Sequence, residues 1–127
     1  MKTKTCTIAI LIAVGLTNSH AQDTWTQKAD FGGATRLDAV GFSIGSKGYI
    51  GTGSNYSGVH QDFGEYDPAT DTWTGKANFG GEGRYGAVGF SIGSKGYIGT
   101  GYVFALGHQK DLWEYDPLTN AWTQKVN

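Results

Sequence analysis

Cysteine is almost absent from this chain of 127 residues, which has a single one at position 6. Cys6 lies in the N-terminal segment, and no cysteine follows it. The remainder of the chain therefore has no disulfide bond, no thiolate metal site and no thiol nucleophile. These absences exclude every function whose chemistry depends on a sulfur atom of cysteine.

An excess of positive charge is also lacking, since 10 lysines and arginines stand against 11 aspartates and glutamates. No stretch concentrates the basic residues, so we expect no nucleic-acid partner and no binding to anionic lipid. Helical periodicity is missing as well, because no segment repeats its apolar residues every three or four positions. Short segments in which large and small residues alternate are present instead, and they predict an all-β protein.

An apolar run long enough to span a bilayer, about 20 residues, is not found. A shorter apolar run occupies residues 5–17, after Lys2 and Lys4 and before Ser19-His20-Ala21. This order is typical of a secretory signal peptide. We predict cleavage after Ala21 and secretion to the periplasm, the cell surface or the medium, with no membrane span in the mature chain. The alternative is a retained N-terminal membrane anchor.

What the chain has in abundance is internal repetition. The segment GFSIGSKGYIGTG occurs at residues 41–53 and again, unchanged, at residues 89–101. Trp25, Trp73 and Trp122 recur at similar intervals around it. A period near fifty residues, rich in glycine, tyrosine and tryptophan, is typical of the blades of a β-propeller.

Four short strands are predicted in each repeat. They cover residues 39–44, 47–53, 62–67 and 72–74, then 87–92, 95–101, 111–116 and 121–123. Gly45 and Gly93 predict two-residue type II′ turns, because glycine tolerates a positive φ. Asp67-Pro68 and Asp116-Pro117 predict turns in which the aspartate accepts a bond from the backbone two residues on. Residues 24–26 predict a further fourth strand with no blade before it.

The first strand of each repeat alternates large and small side chains. Val40, Phe42 and Ile44 point to one face, while Ala39, Gly41 and Ser43 point to the other. Small residues on the second face predict that a neighbouring sheet packs closely there.

One ordered set of motifs occurs twice around these strands. It consists of Arg36, Gly48–Gly53, Tyr66-Asp67-Pro68 and Trp73, and then of Arg84, Gly96–Gly101, Tyr115-Asp116-Pro117 and Trp122. The set resembles the Kelch repeat of secreted gram-negative bacterial proteins in the galactose-oxidase-like propeller superfamily. Gly-Thr-Gly departs from the glycine doublet of that family. The resemblance implies two four-stranded antiparallel Kelch blades of a β-propeller, which is a partial propeller, since the family usually has six or seven blades.

The chain is accordingly divided into four parts. Residues 1–21 are the signal peptide, residues 22–37 an orphan outer strand and lead-in loop, residues 38–76 the first blade and residues 77–127 the second. Repeat units do not bury their apolar faces alone, and at least about three are normally needed. The chain is therefore expected to be a fragment of a longer propeller, a homo-oligomer that completes one, or an open wedge.

The loop after the second strand differs between two otherwise matching repeats. It has the sequence SNYSGV at residues 54–59 and YVFALG at residues 102–107. The resemblance implies that this loop and the one after the fourth strand share the binding face. Asn55, Tyr56, Tyr102 and Phe104 are therefore candidates for ligand contact. Unconstrained drift would produce the same difference.

Two further pairs of candidate binding residues occupy matched positions. Arg36 and Arg84 are suited to bind a ligand carboxylate, or alternatively to tie a loop to backbone carbonyls. His60 and His108 are each followed by glutamine. A metal would need further converging ligands, so we predict no metal and no cofactor.

No catalytic residue is assigned. Asp67 and Asp116 are explained by their turns, and Glu65 and Glu114 by pairing within the scaffold. We therefore predict a secreted non-catalytic interaction module that binds a protein or a glycan through blade loops. The alternative is part of a secreted carbohydrate-active enzyme, of the sugar oxidase or epimerase type. The oxidase resemblance fails because it implies a cysteine joined to a tyrosine, and the mature chain has no cysteine.

Overall fold

The computed structural model describes residues 24–125, which form two four-stranded antiparallel sheets and two short hairpins. The first sheet has the strands β1 (Val40–Ile44), β2 (Lys47–Gly51), β5 (Phe63–Asp67) and β6 (Thr72–Lys76), adjacent in that order. The second has β7 (Val88–Ile92), β8 (Lys95–Gly99), β11 (Leu112–Asp116) and β12 (Ala121–Gln124). The hairpins pair β3 (Ser54–Asn55) with β4 (Gly58–Val59) and β9 (Tyr102–Val103) with β10 (Gly107–His108).

The all-β class and its four-stranded antiparallel sheets are thus confirmed. Within residues 24–125 no helix is long and apolar enough to cross a membrane. The signal peptide predicted at residues 1–21 lies outside the described residues.

The N-terminal part of the described chain differs from the prediction. Residues 24–30 form no strand, although residues 24–26 repeat the pattern of a fourth strand. Trp25 is 98% exposed. A strand requires a hydrogen-bonded neighbour, and among residues 24–125 no third four-stranded sheet exists to supply one.

The predicted turns form as their sequences require. Gly45 and Gly93 both have a φ of +58°, and the flanking isoleucine and lysine pair across each turn. In the other turns, the side chain of Asp67 accepts a bond from the Ala69 N–H at 2.9 Å, and Asp116 accepts one from the Leu118 N–H at 2.9 Å. Sequence and backbone therefore agree at each tight turn of the two sheets.

The two Gly-Thr-Gly segments have an unusual backbone. Thr52 and Thr100 lie in the left-handed region, with φ of +58° and +61°. A β-branched residue is seldom found there because its side chain crowds the backbone. Thr52 is fully buried, whereas Thr100 is exposed.

The two sheets pack face to face where β1 lies beside β7. Val40 and Phe42 of β1 cover Gly89 of β7 and Gly96 of β8 so closely that a Cβ at either glycine would collide with them. The large residues of one repeat therefore rest on the small residues of the next, which is the packing that the alternation predicts.

Aromatic side chains fill the space between the sheets. The ring of Phe63 lies 4.9 Å from that of Tyr115 and 5.0 Å from that of Trp122, between centroids. Tyr49 lies 5.8 Å from Tyr115. The buried core also includes Val40, Ile44, Phe79 and Ile98. The two sheets share one hydrophobic core, so neither has a core of its own.

Candidate functional site

The topology brings both variable hairpins to one end of the sheets. Tight turns close β1 to β2 and β5 to β6, so the longer connections all emerge at the opposite end. There the segment that enters each sheet pairs with a hairpin: the N–H of Leu37 donates to the Ser54 carbonyl at 2.9 Å, and that of Tyr102 to the Tyr85 carbonyl at 2.9 Å. We call this part of the molecule the hairpin end.

Two arginine side chains form its frame. Arg36 donates to the carbonyls of Ala34 and Thr52, each at 3.0 Å, and to both carboxylate oxygens of Asp62 at 2.5 and 2.7 Å. All three guanidinium nitrogens of Arg36 are thus engaged in hydrogen bonds with the same chain. The Cζ atom of Arg36 also lies 4.7 Å from the centre of the Phe31 ring, a favourable cation–π distance.

Arg84 repeats the arrangement in the second sheet. It donates to the Glu82 carbonyl at 3.0 Å, to the Thr100 carbonyl at 2.8 Å and to both oxygens of Asp111 at 2.5 and 2.9 Å. Arg84 is only 1% exposed. Each arginine thus already holds a carboxylate of its own chain together with backbone carbonyls, which is the structural alternative stated above.

The paired aspartates titrate abnormally as a result. Hydrogen bonds from Arg36 hold the pKa of Asp62 below its usual value, against the opposing effect of burial. Hydrogen bonds from Arg84 and Trp113 lower the pKa of Asp111 in the same way. Both aspartates are therefore ionised partners that fix the hairpin end to its sheet.

The first hairpin is short and polar at its tip. Asn55 pairs with Gly58, and its side chain accepts a bond from the Ser57 N–H at 2.8 Å and donates to the Thr35 carbonyl at 3.0 Å. Asn55 therefore stabilises the hairpin itself. Tyr56 at the tip has no such contact and is fully exposed.

A shallow cavity of about 380 Å³ lies beside this hairpin. Its walls are formed by Thr35, Arg36, Leu37, Ser54, Asn55 and Tyr56. The entering segment and the first hairpin thus form a concave surface together, with Tyr56 at its margin.

The second hairpin carries an aromatic cluster, which consists of Tyr85, Tyr102, Phe104 and His108. Ring centroids are 5.5 Å apart for Tyr85 and Tyr102, 5.6 Å for Tyr85 and Phe104, and 5.1 Å for Tyr102 and His108. Phe104 is 62% exposed, and its neighbour Leu106 is similarly exposed. Val103, which points the other way, is buried and anchors the hairpin.

The predicted correspondence of His60 with His108 is wrong. The N–H of His60 donates to the Gly53 carbonyl at 2.9 Å, and the N–H of Gln109 donates to the equivalent Gly101 carbonyl at 2.9 Å. His60 therefore corresponds to Gln109. The second hairpin has one additional residue at its tip, so the two His-Gln dipeptides match by sequence offset but not in space.

The two histidines also differ in their surroundings. His60 is half-buried, and its Nε2 atom has no hydrogen-bond partner in the described part of the chain. His108 is exposed and belongs to the aromatic cluster. Across residues 24–125, no three histidine, cysteine, aspartate or glutamate side chains are grouped so that they could hold a metal ion.

The glutamates considered as acid–base groups are bound within the sheets. The Tyr49 hydroxyl donates to Glu65 at 2.5 Å, and Lys76 lies 3.1 Å from the same carboxylate. Burial raises the pKa of Glu65, but these two partners outweigh it and the pKa is lowered. Tyr97 and Glu114 repeat the contact at 2.7 Å. This geometry supports the prediction that these carboxylates pair within the scaffold.

Sequence reasoning missed Leu37 and Tyr85 as components of the hairpin end. A signal for them exists: each directly follows a repeated arginine, and leucine in one repeat is replaced by tyrosine in the other. The isolated bridges from Leu37 to Ser54 and from Tyr85 to Tyr102 join these positions to the hairpins. Two variable positions distant in sequence thus form one surface in each repeat.

Comparison with known proteins gives neither a matching family nor a matching curated protein. The Kelch resemblance is therefore supported by the repeated motifs alone.

Proposed function

We propose that this protein is a secreted, non-catalytic interaction module of the Kelch-repeat type that binds a protein or glycan ligand through its hairpin end. The observation that supports this most directly is the aromatic cluster on the second hairpin, where Phe104 stands 62% exposed beside Tyr85, Tyr102 and His108. Exposed groups of aromatic and apolar side chains are characteristic of interaction sites.

The chemistry of the cluster suits recognition without catalysis. Tyrosine and phenylalanine provide large contact areas and lose little conformational entropy when a ligand orders them. Their ring faces pack against the apolar C–H surface of a sugar or against side chains of a protein, and the tyrosine hydroxyl and histidine nitrogens give directed hydrogen bonds.

The opposite end of the sheets has a different character. The Gly-Ser-Lys turns at that end are identical in the two repeats, and ion pairs join Lys47 to Asp67 and Lys95 to Asp116 there. These lysine and aspartate charges are paired within the chain in both repeats. Three positions of the Asp-Pro turn differ between the repeats, where Ala69, Asp71 and Thr72 correspond to Leu118, Asn120 and Ala121. Variation between the repeats is greatest at the hairpin end, where the loops differ in length as well as in composition, as expected of a surface that contacts ligands while its frame stays constant.

A glycan array tests the carbohydrate form of the proposal. We expect the protein to bind a defined subset of glycans, and the double variant Tyr102→Ala, Phe104→Ala to weaken that binding at least about tenfold, since aromatic contacts dominate such interfaces. Leu118→Ala is the matched control, because Leu118 is 89% exposed but lies in a tight turn at the opposite end. Equal losses in both variants would contradict a site at the hairpin end.

Position-specific crosslinking tests the protein form. A photoreactive amino acid placed at residue 104, and in a second preparation at residue 118, is activated in cells that secrete the protein. An adduct of one defined mass from residue 104 alone supports the proposal. Adducts from both positions, or from neither together with an empty glycan array, would argue against it.

The enzyme alternative predicts a different result with the same preparation. Purified protein incubated with the sugars of the array would then yield an oxidised or epimerised product, detected by mass spectrometry or by chromatography of epimers. Turnover that a heat-denatured sample does not show would refute the non-catalytic proposal.

A further inference from the structure

The same residues are covered in one sheet and uncovered in the other. Val40 and Ile44 of β1 are 4% and 8% exposed, because they face the second sheet. Their counterparts Val88 and Ile92 of β7 are 57% and 63% exposed. Phe90 is 39% exposed and stacks on Tyr97, as Phe42 stacks on Tyr49 inside the molecule. The second sheet therefore presents an uncovered copy of the face that the first sheet buries.

The glycine face shows the reverse pattern. Gly89 and Gly96 are filled by Val40 and Phe42 of the first sheet. Their counterparts Gly41 and Gly48 have space instead: the nearest atom to a Cβ at either position is 3.7 Å away. The first sheet therefore presents an uncovered copy of the surface on which it rests within the chain.

An open cavity of about 390 Å³ adjoins this uncovered glycine face. Phe31, Arg36, Ala39 and Ile50 are among the residues that line it. The equivalent residues Phe79, Arg84 and Ile98 of the second repeat are at most 2% exposed. The first sheet and its hairpin cover that region, since Val59 and Gln61 contact Gly83 there.

Backbone bonds complete the contact inside the chain. The Gly53 N–H donates to the Arg84 carbonyl at 2.8 Å, and the Gly86 N–H donates to the Asp38 carbonyl at 3.1 Å. The donor and acceptor that would repeat the first of these bonds are the Gly101 N–H and the Arg36 carbonyl, both present in the chain. The chain therefore has a second set of the apolar faces and of this backbone donor and acceptor, which would allow the same contact to form again.

We infer that copies of this chain associate head to tail, with the Val88, Phe90 and Ile92 face of one copy seated on the Gly41 and Gly48 face of the next. The contact repeats the one between the two sheets, whose two sides have the same sequence at residues 41–53 and 89–101. The two surfaces differ from each other, so the interface is heterologous and generates a ring if the rotation closes, or a filament if it does not.

Light scattering behind size exclusion tests the association on protein purified after expression of the full chain. At concentrations up to about 100 μM, where weak specific contacts are populated, we expect a mass of two or more chains that falls on dilution. A single chain mass over that whole range would overturn the inference and leave the uncovered faces to some other occupant.

Two variants locate the contact and reveal its polarity. Gly41→Arg fills the glycine face, where the folded chain has room, and Phe90→Arg places a charge on the opposite face. Each single variant should weaken association at least about 100-fold, because an unpaired charge would be buried at the contact. Leu118→Arg is the matched control and should associate like the unchanged protein. Circular dichroism and tryptophan fluorescence verify that each variant is folded. If the Gly41→Arg variant is unfolded, Gly48→Arg is used in its place.

Mixing the two single variants gives the decisive result. The Gly41→Arg variant keeps an unaltered Phe90 face, and the Phe90→Arg variant keeps an unaltered Gly41 face. These two faces can form one head-to-tail contact, and no further chain can be added to it. The mixture should therefore contain particles of two chains and none larger. Persistence of the original mass in either single variant would contradict the inference. So would a mixture that contains only single chains.

Discussion

The two sheets carry the same thirteen residues, GFSIGSKGYIGTG, in two different environments. In the first sheet the large face of this segment is covered and its glycine face is open, whereas in the second sheet the reverse holds. The difference shows that the burial of a residue depends on the position of its repeat in the array, because the sequence is the same. Ile44 and Ile92 are chemically the same residue, yet the first is 8% exposed and the second 63% exposed.

The pairs Arg36–Asp62 and Arg84–Asp111, which we call the first and second arginine clamps, show the same contrast between polar side chains. The Arg84 side chain is 1% exposed and its partner Asp111 15% exposed, while Arg36 is 6% and Asp62 40% exposed. The bonds that the two arginines donate are equivalent in number and geometry, and Asp111 also accepts one from the Trp113 indole at 2.9 Å. The second clamp is better shielded from water, because the first sheet and its hairpin lie over it.

Removal of an arginine should therefore have unequal effects. We expect Arg84→Met to lower the free energy of unfolding by about 3–5 kcal/mol, since the shielded carboxylate of Asp111 would lose its charged partner and keep the hydrogen bond from Trp113. Arg36→Met should cost only about 1–2 kcal/mol, because water reaches Asp62 and replaces part of the lost bonding. Urea unfolding followed by tryptophan fluorescence measures both values. Equal losses would show that the shielding of the second clamp has no energetic weight.

The isoleucine pair gives the next largest contrast. Ile44→Ala should destabilise the protein by about 2–4 kcal/mol, because it opens a cavity between the sheets. Ile92→Ala should change stability by no more than about 0.5 kcal/mol while the protein is a single chain. Both are measured by urea unfolding at a dilution that prevents association. If copies associate as inferred, Ile92→Ala also becomes costly at high protein concentration.

Replacement by glycine should change stability differently at Thr52 and at Thr100, the two threonines whose backbone is left-handed. Thr100→Gly should stabilise the protein by about 1 kcal/mol, because glycine adopts a φ of +61° without strain and Thr100 is exposed. Thr52→Gly gains the same relief but loses a fully buried side chain, so we expect no gain or a net loss. Thermal unfolding of the two variants checks this. A gain at both positions would mean that the Thr52 side chain contributes nothing to packing.

Acid sensitivity gives the smallest contrast. Asp62 and Asp111 have folded-state pKa values below their usual values, with hydrogen bonds from arginine as the first cause. Their contribution to stability is thus complete above the unfolded pKa of about 3.9, and it is lost as the pH falls through the lowered folded pKa. Thermal unfolding between about pH 2 and pH 7 should show this decline. Asp111→Asn should flatten the profile more than Asp62→Asn, and the opposite order would contradict the difference in shielding.

Local sequence signals were sufficient to predict most of the frame. Glycine in the turn between the first two strands of each sheet, and Asp-Pro in the turn between its last two strands, determine the local backbone directly. The turns at Gly45, Gly93, Asp67 and Asp116 therefore form as predicted. Alternation of large and small residues likewise predicted the contact of β1 with Gly89. These features depend on neighbours close in the chain or on an exact repeat.

Features that depend on distant partners were not predictable in the same way. Residues 24–26 have the residues of a strand but no neighbouring strand to pair with in the described chain. The repeated His-Gln dipeptide hid the additional residue in the second hairpin, because sequence offset alone does not show where a loop absorbs an insertion. The joining of Tyr85 to Tyr102 needed the course of the backbone between them.

That additional residue has a practical consequence. The first hairpin turns through Tyr56-Ser57 and the second through Phe104-Ala105-Leu106, yet both return to the frame at the same bond, to the carbonyl of Gly53 or Gly101. Gly58 and Gly107, with φ of +134° and +76°, occupy matched positions at the start of the returning strand. We therefore expect peptides of altered length and composition to be tolerated between residues 55 and 58, which makes the hairpin tip a natural display position for engineering.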